Sequence, residues 1–247
     1  MKILIPMAGE GSRFVKEGYT FPKPLIDVAG KPMIQTVVEN LDFDCEYIFL
    51  VRREHIQKYE GVLDTLGRIT NDRFKYVVVD GLTEGAACTA LLAEEHIDND
   101  EDLLIANSDQ YIEYEAENFK AFKNLTSTDA IVFTFNAVHP KWSFVKTNSR
   151  GYITEVAEKK PISNIATCGI YWYRKGSDFV RHAKSMIEKN VRVNNEFYIA
   201  PVYNELIEEG QSLIPFYVHK MWGIGTPEDL KHFLENQIGR ASCRERV

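Results

Sequence analysis

Short apolar runs alternate with helical patterns along the first half of the chain. The runs cover residues 2–7, 47–51, 76–80, 102–109 and 130–135. Uninterrupted apolar runs of this length are typical of buried parallel strands. Between them, residues 32–41, 55–66 and 85–97 carry apolar side chains at helical spacing. This alternation predicts an α/β fold with a Rossmann-like, mostly parallel open sheet flanked by helices.

The pattern changes after about residue 140. Residues 142–159 predict a β-hairpin that turns at 148–151, and residues 166–174 predict a further strand rich in β-branched and aromatic side chains. Further elements are expected as helices near 177–189 and 196–209, a strand at 212–221 and a helix that begins at Thr226. No linker or repeat separates the halves, so we predict one domain over 1–237. Its halves would be 1–137 and 138–237, the second folding over the sheet of the first.

Composition narrows the function without identifying it. The chain has 247 residues, 45% hydrophobic and 26% charged, which is ordinary for a globular domain. A net charge of -7 without a long basic run argues against nucleic acid or an anionic membrane as a partner. No signal peptide or membrane span is apparent, so we expect a cytoplasmic protein. The spacing of the four cysteines and six histidines predicts neither a zinc site nor a disulfide framework.

The last ten residues, IGRASCRERV, read as one translated frame of a widely used sequencing adapter. We therefore predict that residues 238–247 are not native. This tail carries three Arg and one Glu, so without it the net charge of -7 becomes -7 - 2 = -9.

A glycine-rich loop, Gly9-Glu10-Gly11-Ser12-Arg13, follows the first predicted strand. Backbone amides in such a loop can face phosphate oxygens. A dinucleotide-binding loop would need glycine at position 14, where the chain has Phe14, and the Gly-Lys-Ser/Thr of a Walker loop is absent. A plain strand-to-turn connection is the open alternative.

Lys23 stands between two prolines in FPKPLI. Each proline restricts the residue before it, so Phe21 and Lys23 are expected to be extended. A solvated surface lysine would leave these prolines unexplained. With Arg13 and the glycine loop, Lys23 therefore predicts a site that grips a triphosphate.

The runs GEGSRF, PKPL and GKPMI resemble the signature of sugar-1-phosphate nucleotidylyltransferases. This family includes glucose-1-phosphate thymidylyltransferases and related capsule-locus cytidylyltransferases, and the resemblance extends to residue 237. It implies a fold like that of the GT-A glycosyltransferases, with the β-hairpin and the later helices on the acceptor side. Arg13, Lys23 and Asp109 would be catalytic, and Asp109 would bind Mg2+. The implied nucleotide-binding set is Ala8, Gly9, Glu10, Gly11, Ser12, Arg13, Lys23, Glu84, Gly85 and Asn107.

At two of these positions, a purely structural role would also explain the residue. Gly85 would leave room for the flat base, although a helix start capped by Thr83 explains the same segment. Asp109 follows a predicted strand, and ligands collect at the carboxyl ends of parallel strands. A lone aspartate in a loop is also a common turn residue.

The second half resembles the acceptor side of the same family through EVAEKKPISNIATCGIYWY and NNEFYIAPVYNELI. There a lysine holds the acceptor phosphate and a glutamate holds a sugar hydroxyl. The implied acceptor-binding set is Ser143, Glu158, Lys159, Lys160, Gly169 and Glu196. Which of the two lysines acts is open, because a charged hairpin edge explains either one. Glu196, expected to open a helix, is also a candidate near the metal.

One position departs from the family. Many thymidylyltransferases have a metal-binding aspartate two residues before the glycine that corresponds to Gly225, where this chain has Gly223. Either the second metal is held differently, with Glu196 as a candidate ligand, or only one protein carboxylate ligates metal.

The resemblance implies transfer of a nucleoside monophosphate from CTP, UTP or dTTP to a phosphorylated acceptor. The acceptor expected first is a sugar 1-phosphate for surface-glycan synthesis, and a homo-oligomer is conceivable. The phosphate nucleophile is already anionic, so catalysis needs positioning and charge neutralisation rather than a base. The alternatives are an NDP-sugar glycosyltransferase, which gives Lys23 and the glycine loop no role, and a regulatory nucleotide-binding module.

Overall fold

The computed structural model describes residues 1–59 and 61–238. Its strands are β1 (Lys2–Pro6), β2 (Asp27–Val28), β3 (Lys31–Pro32), β4 (Glu46–Arg52), β5 (Phe74–Val79), β6 (Leu103–Ala106), β7 (Gln110–Glu113), β8 (Ala130–Asn136), β9 (Ser143–Thr147), β10 (Ile153–Glu158), β11 (Ile165–Tyr173), β12 (Leu213–Tyr217) and β13 (Lys220–Gly223). The helices are α1 (Ser12–Lys16), α2 (Met33–Leu41), α3 (Arg53–Lys58), α4 (Val62–Thr70), α5 (Ala86–Leu91), α6 (Glu94–Ile97), α7 (Ala116–Leu125), α8 (Gly176–Glu188), α9 (Val202–Glu208) and α10 (Pro227–Phe233). A 3-10 helix spans Lys23–Leu25, and a π-helix at Leu234–Ile238 continues α10. The proposed non-native tail lies almost entirely outside the described residues.

A nine-stranded sheet forms the centre of the molecule. Its main path runs β10-β9-β11-β6-β1-β4-β5, while β8 pairs with β11 and β12. The strands β6, β1, β4 and β5 are parallel to one another, as the first-half pattern predicts. The helices between these strands complete the predicted α/β architecture, so the fold class is confirmed.

The second half extends this sheet and does not fold over it. The strand β11 pairs antiparallel with β6 and with β8, and the predicted hairpin of β9 and β10 continues the sheet beyond β11. The hairpin turns where expected, with the Gly151 amide donating to the Asn148 carbonyl at 3.0 Å. The sheet is therefore parallel in one part and antiparallel in the other.

Several predicted elements are divided in the structure. The expected helix at 55–66 becomes α3 and α4, because Gly61 adopts a left-handed conformation (φ 81°) before α4. The helix expected at 85–97 becomes α5 and α6. Between them, the amides of Leu92 and Ala93 donate to carbonyls three residues earlier in the chain, as in a 3-10 turn. The strand expected at 212–221 becomes β12 and β13.

Glu196 does not begin a helix, so that prediction was wrong. It forms an isolated β-bridge with Val193, and the two asparagines between them have positive φ. The next helix, α9, starts only at Val202, after Pro201. The helix expected at Thr226 is confirmed: the amide of Asp229 donates to Thr226 Oγ1 at 3.1 Å.

Two hydrophobic clusters cover the two faces of the sheet. Ile3 and Ile5 of β1 belong to one cluster and Leu4 to the other, as the two-residue period of a strand requires. Both clusters consist of buried side chains, so the central strands are covered on each face. Among the described residues, none of the helices is long and apolar enough to cross a bilayer.

Phe119 of α7 anchors an aromatic group on the first of these faces. Its ring lies 4.6 Å from that of Phe133, 5.4 Å from Phe216 and 5.8 Å from Phe43, measured between centroids. Edge-to-face and tilted contacts of this kind add to the energy of burial.

We expect Phe119→Ala to lower the free energy of unfolding by about 3–5 kcal/mol, because it leaves a cavity in a fully buried site. Urea denaturation measures the change. Leu125→Ala on the same helix is the control, since that side chain is 87% exposed and its loss should cost less than about 0.5 kcal/mol. Equal losses in the two variants would contradict the prediction.

Candidate active site

A cavity of about 470 Å³ opens at the carboxyl ends of β1 and β6. The glycine loop borders one side, and the start of β9 and the end of β10 border the other. This edge of a parallel sheet is where α/β proteins collect their ligands.

The cavity brings together predicted residues from both halves of the chain. Those that line it are Gly9, Arg13, Lys23, Asn107, Asp109, Ser143, Glu158, Lys159 and Gly169. The predicted residues that do not line it are Ala8, Glu10, Gly11, Ser12, Glu84, Gly85, Lys160 and Glu196. The first set contains the three expected catalytic residues.

Lys23 and Asp109 form an ion pair in the cavity wall on the side of the glycine loop. The Lys23 ammonium donates to Asp109 Oδ2, and the two side chains are 21% and 28% exposed. Lys23 is not extended as predicted: it starts the 3-10 helix, whose Leu25 amide donates to the Pro22 carbonyl at 2.8 Å. The prolines still fix the direction of the lysine, through a turn instead of an extended segment.

Two glycines are required by this ion pair. A Cβ on Gly11, which has φ 62°, would lie 2.9 Å from Lys23 Cβ. A Cβ on Gly225 would overlap the carboxylate of Asp109. Both positions therefore need glycine for the protein's own packing.

Gly9 differs from both of them. A Cβ there would meet no atom within 4 Å, and the residue lines the cavity. The turn alternative thus explains Gly11 but leaves Gly9 unexplained. Open space beside a backbone at a strand end is the arrangement that a ligand's phosphate would use.

Gly85 has a structural role that the sequence did not indicate. Its φ is 136°, and a Cβ would overlap the backbone of Phe197. The Phe197 amide donates to the Glu84 carbonyl at 2.8 Å, and its carbonyl accepts from the Ala87 amide at 2.9 Å. Gly85, not Thr83, is the N-cap of α5. Contact between Gly85 and a base remains a prediction.

Glu84 is held by a partner from the second half. Arg192 donates to its carboxylate, and the guanidinium lies 4.0 Å above the ring of Phe197. This pair joins the segment around residue 84 to the segment before Tyr198.

The opposite side of the cavity carries Ser143, Glu158 and Lys159. The Ser143 hydroxyl donates to Glu158 Oε2, and the Lys159 ammonium donates to the hydroxyl of Tyr198. Burial raises the pKa of Glu158, while the Ser143 hydrogen bond and the charge of Lys159 oppose the rise. Because Lys159 lines the cavity and Lys160 does not, the geometry favours Lys159 of the two lysines.

Gly169 lies in β11 at a shift in register, with φ 74°. A Cβ there would overlap the Asn107 side chain. The backbone amide of Asn107 donates to the Gly169 carbonyl at 2.9 Å. The cavity position of Asn107 thus depends on a glycine that the sequence analysis assigned to acceptor binding.

The sequence analysis missed other residues of the cavity wall, among them Gln110, Lys141 and Asp229. Gln110 donates to the Asn107 carbonyl at 2.9 Å, and Lys141 pairs with Asp229 at 2.8 Å. Asp229 lies in the first turn of α10. Trp142 and Tyr198 also line the cavity.

Comparison with known proteins identifies the family. A family model described as nucleotidyl transferase matches residues 2–237. The bifunctional protein GlmU of Methanococcus aeolicus is 26% identical over 246 residues, covering 96% of this chain and 55% of that protein. The UTP–glucose-1-phosphate uridylyltransferase AglF of Haloferax volcanii is 26% identical, covering 93% of each chain. The chain thus spans about half the length of its GlmU relative.

Solved structures show the same architecture. A nucleoside-diphosphate-sugar pyrophosphorylase from Vibrio cholerae RC9 superposes with a TM-score of 0.77 at 24% identity, covering 95% of this chain and 100% of that chain. At this level of identity, the likeness supports the fold.

The Ser143 hydroxyl stabilises the ionised form of Glu158 by donating a hydrogen bond to its carboxylate. We therefore expect Ser143→Ala, which removes this bond, to raise the pKa of Glu158 further. The ionised fraction of Glu158 at a given pH should therefore fall. A carbon-13 NMR titration of labelled glutamate carboxyls measures this, with Glu158→Gln assigning the signal. A pKa that is unchanged or lower in Ser143→Ala would contradict the expectation.

Proposed function

Because the chain belongs to the nucleotidyl transferase family, we propose that it transfers a nucleoside monophosphate from an NTP to a sugar 1-phosphate and releases pyrophosphate. One observation carries this proposal. Arg13, Lys23 and Asp109 surround one end of a cavity whose other end holds Glu158 and Lys159. The name of the relative AglF, a UTP–glucose-1-phosphate uridylyltransferase, points in the same direction.

The first end of the cavity suits the triphosphate. Gly9 leaves open space for phosphate oxygens, and Arg13 and Lys23 supply cations. Negative charge spreads over the phosphate oxygens as the α-phosphorus is attacked, and preorganised cations stabilise that charge. The proline-flanked turn holds Lys23 in a fixed direction.

A divalent metal ion, proposed as Mg2+, fits at Asp109. Mg2+ in phosphate chemistry is usually held by one or two carboxylates together with substrate phosphates and water. The described residues contain no cluster of three or more histidine, cysteine or acidic side chains that could hold a metal alone. Asp109, accessible from the cavity, would hold the ion, which would screen the repulsion between the two phosphates.

The second end suits the sugar phosphate. Lys159 would bind the acceptor phosphate, whose oxygen attacks the α-phosphorus as pyrophosphate leaves. Glu158 in its ionised form would accept a hydrogen bond from a sugar hydroxyl. No residue needs to remove a proton from the nucleophile, so the chain's contribution is to align two anions that repel each other. We propose CTP, UTP or dTTP as the donor and the cytoplasm as the place of reaction.

Pyrophosphate release tests the proposal. Protein ending at Gln237 is assayed with Mg2+ across four NTPs and a panel containing hexose 1-phosphates, phosphocholine and phosphoethanolamine. Release that depends on both an NTP and a hexose 1-phosphate is the expected result. Sugar transfer from an NDP-sugar without pyrophosphate would favour a glycosyltransferase, and NTP binding without turnover would favour a regulatory module.

We expect Lys23→Ala and Asp109→Asn each to lower kcat by about a hundredfold while the protein stays folded. Each removes one charge from the place where phosphate charge develops. Steady-state kinetics with thermal unfolding measures both properties. Lys184→Ala, which removes a lysine paired with Glu94 on the surface, is the control and should keep its activity. Near-normal kcat in either site variant would refute the assignment.

The Lys23–Asp109 pair also predicts how metal binding responds to mutation. In the absence of NTP, a cation at Asp109 competes with the ammonium of Lys23. A partly exposed ion pair is worth about 1 kcal/mol, so Lys23→Met should bind Mn2+ about fivefold more tightly than wild type. Electron paramagnetic resonance of free Mn2+ measures the affinity. Adding Asp109→Asn should abolish the gain, and equal affinity in Lys23→Met and wild type would count against metal binding at Asp109.

A further inference from the structure

Asp229 reaches the cavity from the first turn of α10, and its position is fixed by two contacts. Its amide donates to Thr226 Oγ1 at 3.1 Å, which caps the helix. Its Oδ1 accepts from the Lys141 ammonium at 2.8 Å, and that ammonium lies 4.6 Å from the ring centroid of Trp142. The carboxylate is therefore held in one orientation beside an indole ring.

Gly223 leaves room for one methyl-sized group next to this carboxylate. A Cβ on Gly223 would lie 3.4 Å from Trp142 Cη2 and 3.5 Å from Asp229 Oδ2. The missing side chain thus leaves a gap with an apolar wall on one side and a carboxylate oxygen on the other. Within the parts of the chain that the structure describes, Oδ2 has no protein hydrogen-bond donor. All three residues line the cavity.

We propose that this gap, bounded by Trp142, Gly223 and Asp229, is a specificity subsite for the hydroxylated part of the acceptor. A hydroxyl of the acceptor donates to Asp229 Oδ2, and neighbouring C–H groups contact the edge of Trp142. This inference rests on the proposed function and adds residues that select the acceptor. Asp229 is not among the residues proposed to hold the phosphates, so its expected contribution is to acceptor binding and not to the chemical step.

The charge around Asp229 argues for a neutral hydroxyl. Lys141 already neutralises the carboxylate, so a second cation entering the gap would face the ammonium of Lys141 within a few ångströms. A hydroxyl can use Oδ2 without breaking the pair at Oδ1. Hydrogen bonds from a neutral donor to a carboxylate are among the stronger ones, and losing one from a partly buried site weakens binding about tenfold or more.

Gly223→Ala is a variant that fills the gap without disturbing the fold. Gly223 is absent from the residues with positive φ, and contacts of 3.4 and 3.5 Å are ordinary van der Waals distances. The added methyl group therefore fits, but it occupies the space proposed for the hydroxyl. Asp229→Ala tests the same subsite by removing the acceptor oxygen, and Asp229→Asn keeps one oxygen at the same size.

The experiment compares steady-state kinetics of these variants with the hexose 1-phosphate that works best in wild type. Gly223→Ala and Asp229→Ala should raise the acceptor KM about tenfold or more, with Asp229→Asn between them and wild type. The KM for NTP and the Mg2+ concentration for half-maximal rate should change less than about twofold in each variant. Glu94→Ala, which removes a carboxylate paired with the surface residue Lys184, is the control and should change none of these.

Three results would overturn the subsite. One is an unchanged acceptor KM in folded Gly223→Ala and Asp229→Ala. Another is a higher Mg2+ requirement in Asp229→Ala at constant acceptor KM, which would make Asp229 a metal ligand. The third is a wild type that uses phosphoethanolamine or phosphocholine but no hexose 1-phosphate.

Calorimetric binding of glucose, mannose and N-acetylglucosamine 1-phosphates separates this inference from the proposed function. If wild type binds one of them, Gly223→Ala weakens that binding and no pyrophosphate is released, the proposed function fails and the subsite stands. If wild type binds none of them, the subsite fails whatever the assay of turnover shows.

Discussion

The ion pair of Lys23 and Asp109 joins the two segments from which the cavity is built. Lys23 starts the 3-10 helix that follows α1, and Asp109 follows β6, the strand that lies beside β1. The pair sets the identity of residues far from it in sequence: Gly11 must admit the lysine stem, and Gly225 must admit the carboxylate. The turn that carries Lys23 is in turn fixed by the prolines on either side. One contact between opposite charges therefore accounts for the residue types at several positions around the site.

Glycine has three separate meanings in this chain. At Gly11, Gly85 and Gly225 it is required because another part of the protein occupies the space of a side chain. At Gly9 and Gly223 no backbone strain or overlap demands it, and the space left free opens into the cavity. Elsewhere, as at Gly61, glycine serves only a left-handed turn. A sequence shows all of them as the same letter, so only their surroundings tell a ligand-facing glycine from a packing one.

The sequence predicted what depends on local pattern and missed what depends on pairing partners. The apolar runs gave the parallel strands, and the Thr226 cap gave α10, because each signal lies within a few residues. Neither strand alone shows that β11 pairs with β6. The sequence therefore could not predict that the second half extends the sheet. Glu196 failed as a helix start because its asparagine neighbours turn the chain first. Arg13, Lys23 and Asp109 were found through their motifs, while Lys141 and Asp229 meet across 88 positions of sequence and belong to no motif.

The three lysines that face the cavity are compensated within the protein, and this bears on how substrates enter. Lys23 is paired with Asp109, Lys141 with Asp229, and Lys159 lies against the hydroxyl and ring of Tyr198. Uncompensated cations crowded in one cleft would repel each other and destabilise the fold, so these contacts stabilise the region around the cavity. The contacts of Lys23 and Lys159 differ in what a substrate must displace in order to bind the lysine. Phosphate can draw Lys159 from a neutral phenol at small cost, whereas engaging Lys23 fully means separating it from a carboxylate. A divalent ion that arrives with the nucleotide offers Asp109 a replacement cation in the same step. Binding of nucleotide and binding of metal should therefore be coupled at the Lys23 end of the cavity. At the Lys159 end, the acceptor can bind without such an exchange.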